Sequence, residues 1–141
     1  MPSGDSPVEI VHEKTATALD AFLSADPDRP RATRVLHIKS LDADITIREI
    51  TDREMDTIQD RASSKKLSAI ETNAEVVAAA LVDPDLRNPD VVQMFEDKFG
   101  VYMTAPEIVK ATMKPFEIIR VGDEVMDLSG ASEDAVTQAK N

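Results

Sequence analysis

Apolar positions recur along the chain at more than one spacing, and the changes of spacing mark its elements. Val8, Val11, Thr15, Leu19 and Phe22 fall three or four residues apart, which places them on one face of a helix. Ser6 and Glu9 form an S-x-x-E capping box ahead of that face, with Pro7 at the first helical position. The following S-A-D-P-D-R-P-R-A stretch, residues 24–32, carries two prolines and alternating charge and reads as a linker. The N-terminal helix is therefore expected to be an arm outside the core.

From Thr33 to Ile50 the period becomes two. Arg34, Leu36 and Ile38 alternate with Val35, His37 and Lys39, and Ile45 and Ile47 alternate with Thr46 and Arg48 after a turn near Leu41 to Asp44. Two β-favouring runs joined by a short Asp-containing loop predict a hairpin. A hairpin alone is marginal in water, so one face should pack on helices or pair with another chain.

After Ile50 the pattern is helical throughout. Thr51 and Glu54 form a capping box ahead of Met55, Ile58 and Ala62, and a polar break is expected over Ala62 to Lys66. Ile70, Ala74, Val77 and Leu81 give the cleanest stripe, ended by Asp83-Pro84-Asp85 because proline cannot continue a helix. Asn88-Pro89 opens the next helix, with Val92, Phe95 and Phe99 on one face and Gly100 as its stop. Thr104 and Glu107 cap a short helix through Ile108 and Val109. Pro115 starts the last one, lined by Ile118, Val121, Val125 and Leu128 and stopped by Gly130. Gly122 inside it costs about 1 kcal/mol relative to alanine. The polar end from Ala131 to Asn141 is expected to fray. These elements predict a mainly α, α+β fold. An N-terminal β-hairpin packs on about five helices, with segments 1–32 (arm and linker), 33–130 (domain) and 131–141 (tail).

Composition narrows the functional classes. A chain of 141 residues is one ordinary domain, and 42% hydrophobic residues suffice for a core. Aromatics are only 4% and Trp is absent, so that core rests on Leu, Ile, Val, Met and Ala. Sixteen basic against 27 acidic residues leave a net charge of −11, which repels nucleic acid and anionic membrane surfaces. The absence of cysteine rules out disulfides and thiolate chemistry. No secretory signal pattern opens the chain, and its longest apolar run, Val76 to Val82, is far short of a membrane span. A cytoplasmic location is the expectation.

Candidate chemistry is sparse. His12 and His37 lack H-x-x-x-H or H-x-H spacing and read as ordinary histidines. Asp42-Ala43-Asp44 and Asp83-Pro84-Asp85 read D-x-D but lack the further oxygens and glycine of a calcium loop, so turn aspartates account for them. No G-x-S-x-G, G-x-G-x-x-G or phosphate-loop pattern occurs, and no metal or other cofactor is expected. Arg29, Arg31 and Arg34, and Arg61, Lys65 and Lys66, interrupt the acidity. They read as solvated charge, or as a docking patch for an acidic neighbour.

The order of elements carries a resemblance. V-L-H-I-K-S-L-D-A-D-I-T-I-R-E-I-T-D-R-E runs a hairpin into a capped helix. It is followed by A-A-A-L-V-D-P-D-L, an F-G, a T-A-P-E-I helix and a final D-L-S-G. Over Val35 to Gly130 this resembles the XkdN-like tail assembly chaperones of long-tailed phages and defective prophages. The resemblance implies a non-enzymatic protein of the host cytoplasm that coats the helix-rich tape measure protein until tube subunits polymerise round it. The tail tube protein is a further candidate partner, and many copies on a long client imply self-association, through the hairpin edge or the N-terminal arm. Apolar residues left partly exposed would hold the client, and Met94, Tyr102, Met103, Ile108 and Met113 are the candidates. The alternatives are a structural tail or baseplate component retained in the virion, and an enzyme with a dispersed carboxylate site.

Overall fold

The computed structural model describes residues 17–131 and 135–139, and the chain divides into two units between Pro30 and Arg31. In the first unit residues 17–24 are helical (α1), and every residue from 17 to 30 is exposed. The expected cap at Ser6, Pro7 and Glu9, the face positions Val8, Val11 and Thr15, and His12 lie outside the described residues. So does part of the expected tail.

The second unit begins with the hairpin. Strands β1 (Thr33–Ile38) and β2 (Ala43–Arg48) pair antiparallel, with Arg34 opposite Ile47 and Leu36 opposite Ile45. Alternation sends Ile38, Ile45 and Ile47 into the core and Val35 and His37 to water. A third strand, β3 (Leu81–Asp83), pairs antiparallel with the other edge of β2 through a register irregularity, giving the order β1-β2-β3. This corrects the reading of everything after Ile50 as helical. Leu81 leaves the helical stripe to pair opposite Ile47, satisfying backbone groups that a two-stranded hairpin leaves open.

Among its described residues the second unit holds five α-helices. Helices α2 (Asp52–Ser64) and α3 (Ala69–Ala80) come before β3, and α4 (Pro89–Phe99), α5 (Ala105–Thr112) and α6 (Pro115–Met126) after it. A π-helical turn, Asp127–Ala131, continues α6. Reciprocal capping boxes open α2 at Thr51 and Glu54, α3 at Ser68 and Glu71, and α5 at Thr104 and Glu107. The break expected over Ala62 to Lys66 comes later, because α2 continues to Ser64 and turns at Lys66, whose φ is 52°.

Helix α3 is central. It packs mainly on α6 and α5, with α2 alongside. Ala74, Val77 and Ala80 are fully buried, and the small side chains let neighbouring backbones come close. Ile47, Ile108, Val109, Ile118 and Val125 complete the deepest layer, each burial worth about 1.5–3 kcal/mol against exposure. Gly122 does not interrupt α6; it sits where that helix meets Asn73 of α3.

Polar ties fasten the hairpin and the residue Ile50 after it to α6 and the turn that follows it, Asp127–Ala131. Arg34 Nη1 donates to Glu124 Oε1 at 2.9 Å and to Asp127 Oδ2 at 3.1 Å. Ser40 Oγ donates to Glu117 at 2.7 Å, and the Ile50 N–H donates to Ser129 Oγ at 3.0 Å. Arg31 pairs with Glu54 at 3.0 Å. Arg31 and Arg34 are thus structural ion pairs and not solvated linker charge, because folding brings distant carboxylates to them.

Candidate protein-binding surfaces

Helix α4 is the least embedded element of the second unit. Asn88 caps it, its Oδ1 accepting from the Asp90 N–H at 2.9 Å, and Gly100, at φ 78°, ends it in the left-handed conformation that glycine allows. None of its residues is fully buried; Val91 and Phe95 rest partly on the core. The face expected from Val92, Phe95 and Phe99 is therefore shifted, and Phe99 is exposed. Its ring stacks parallel on Phe95 with centroids 6.2 Å apart, under the Lys98 ammonium. Met94 (70% exposed), Val101 and Tyr102 (64% exposed) are further apolar side chains open to water between α4 and the start of α5.

A cleft of about 230 Å³ opens between the sheet and α5. Leu41, Ile45, Leu86, Phe95, Ile108 and Met113 are among its walls, and Asp44 and Thr112 add polar groups. Phe95 belongs to both this cleft and α4, so the helix that exposes Met94 borders the apolar opening.

The five residues expected to hold a client part company here. Met94 and Tyr102 are exposed, and Met103 is half-buried against the core. Ile108 is only 1% exposed and Met113 8%, which corrects their reading as surface residues. The inner face of α5 is turned to α3, and burial there outweighs any surface role. Both nevertheless line the cleft, where the fold brings them beside Phe95. Phe95, expected on the apolar face of its helix, completes the wall with Leu41 and Leu86, which spacing did not single out because a hairpin turn and an inter-helix loop carry no periodicity.

The titratable groups are tied to structure. The backbone N–H of Ser68 and then its hydroxyl hold Glu71 below its ordinary range, and Thr104 does the same for Glu107. Glu117 is lowered by the Lys114 N–H and then by Ser40. At Glu54, burial pushes upward, but the Thr51 N–H and the arginines Arg31 and Arg48 prevail and lower it. All four are cap acceptors. His37 lies between Asp44 (Nδ1 to Oδ1, 2.8 Å) and Asp42 (Nε2 to Oδ1, 3.3 Å), so this aspartate pair meets a side chain where local turn donors were expected. Among the described residues no group of three or more His, Cys, Asp and Glu could hold a metal ion, and no helix is long and apolar enough to cross a membrane.

A family model described as the phage XkdN-like tail assembly chaperone protein covers residues 19–140. No curated protein and no solved structure matches.

Proposed function

The chain belongs to the XkdN-like phage tail assembly chaperone family, and we propose that it binds the tape measure protein and keeps it soluble until tail tube subunits enclose it. The observation that carries this reading is the family match across 19–140, which takes in every element from β1 to α6. The role of the family is non-catalytic, and the lowered carboxylates at helix caps fit a scaffold.

The surface supports the reading in two ways. Met94, Val101 and Tyr102, beside the Phe95 cleft, offer apolar area for an amphipathic client helix, whose anchors recur at three and four residues. The charge of −11 keeps each coated stretch of client away from its neighbours and in solution. On this reading the protein works in the host cytoplasm, and the tail tube protein is a second partner met as the client is handed over.

Co-expression with a tape measure fragment tests it. The fragment should move from the pellet to the soluble fraction and co-purify with the chain, and a fragment that stays in the pellet defeats the proposal. Mass spectrometry of purified particles should find the chain missing; its stoichiometric presence would favour a structural tail component.

A further inference from the structure

A second groove, of about 410 Å³, lies between α2, α3 and the start of α5. Its apolar surface is made by Ile58, Ala78, Ala79, Ala105 and Pro106, and the small residues leave room for a helix to approach closely. Its rim is basic in an acidic protein. Arg53, Arg61 and Arg87 line it, against Glu54 and Glu75. Glu75 pairs with Arg61 at 3.3 Å, Glu54 with Arg31 at 3.0 Å and Arg48 at 3.6 Å, and Arg87 with Asp85 at 3.5 Å. Arg53 takes part in no ion pair among the described residues. Crowding of like charge extends behind the rim. Burial first, then Arg87 and Arg31, lower the tendency of Arg48 to hold its proton, and the Arg48 Nε is buried without a partner.

The complementary surface is on the same chain. In α1 the side chains of Leu19, Phe22 and Leu23 recur at the three- and four-residue spacing of a helix anchor, and all are exposed, Phe22 by 83%. The segment 17–28 carries Asp20, Asp26 and Asp28 and no basic residue. Three large apolar side chains exposed on one helix face call for a cover. We propose that α1 of a second copy docks in this groove, Leu19, Phe22 and Leu23 on the alanine-lined surface and Asp20 toward Arg53. The chain thereby associates with itself through an exchanged arm. A pair or a run of copies would cover both surfaces with the same contact. This inference does not depend on the identity of the client.

Sedimentation velocity on the full chain tests it without any client. Self-association is expected at micromolar concentration, and Phe22→Ser should abolish it. Asp20→Lys sets a lysine of the arm against Arg53, and Arg53→Glu sets a glutamate of the rim against Asp20. Each alone should raise the dissociation constant about tenfold, the scale of two reversed surface pairs per dimer. Arg53→Glu also adds an acid to the first turn of α2, a change that favours the helix, and circular dichroism checks that the fold is kept. Mixing the two variants restores complementarity at both contacts and should restore association. A chain monomeric at all concentrations, including one whose arm folds onto its own groove, overturns the proposal. So does association indifferent to these substitutions, or a mixture that stays monomeric.

Discussion

Gly122 of α6 lies so close to Asn73 of α3 that a Cβ on the glycine would collide with Asn73 Oδ1. The Asn73 Nδ2 donates to the Ala69 carbonyl at 2.9 Å, which holds the amide in that position. A residue that weakens a helix by propensity thus permits a close approach of two core helices. Gly122→Ala should gain helix propensity and still lose about 1–2 kcal/mol of stability through overpacking. In an Asn73→Ala background the same change should be neutral or stabilising. Denaturant midpoints of the four species form a double-mutant cycle, and additive effects would refute the contact.

Burial separates the residues first grouped as a binding surface. Ile108→Ala should cost about 3 kcal/mol, as for a core cavity. Met94→Ser and Tyr102→Ser should stay within about 0.5 kcal/mol of the parent. In the co-expression assay the surface pair should lower client solubility while leaving the melting temperature unchanged. The opposite pattern would move the binding surface away from α4.

Acid should destabilise the protein through its helix caps. Glu54, Glu71, Glu107 and Glu117 are all held below the ordinary glutamate value of 4.5 in the folded state. Above that value both folded and unfolded chains carry the charge, and the full stabilisation is present. As pH falls below it the unfolded chain takes up protons first, so stability drops until the folded carboxylates protonate too. The melting temperature should therefore decline from about pH 5 downward. Glu71→Gln and Glu107→Gln should flatten that decline; an unchanged slope would show that other groups govern it.

Glu54 should matter more than the other cap glutamates. It closes the capping box at Thr51 and also faces Arg31 and Arg48. Glu54→Ala leaves two cations crowded near Arg87, whereas Glu107→Ala removes only a cap. Chemical denaturation should show the larger loss for Glu54→Ala, and a following Arg48→Met should recover part of it. Equal losses would mean that the arginines are fully solvated.

Much of this architecture was readable in the chain itself, because the forces concerned act within a few residues. Thr51 with Glu54, Thr104 with Glu107, Asn88 with Pro89, and Gly100 and Gly130 satisfy or end helices locally, and each does so in the fold. The period-two alternation of Leu36, Ile38, Ile45 and Ile47 likewise set the inward face of the hairpin. The net charge of −11 needs no fold at all.

Tertiary structure decided what depends on residues far apart in sequence. Leu81 continues a helical stripe in spacing, yet it pairs as a strand because β2 presents an open edge. Arg34 looks like linker charge until α6 brings Glu124 and Asp127 to it. Ile108 and Met113 are indistinguishable by type from the exposed Met94; only the turn of α5 toward α3 makes them core and cleft wall. The candidate surfaces are the least legible part, because a groove is the shape left between elements, and shape comes from packing and not from any one segment's pattern.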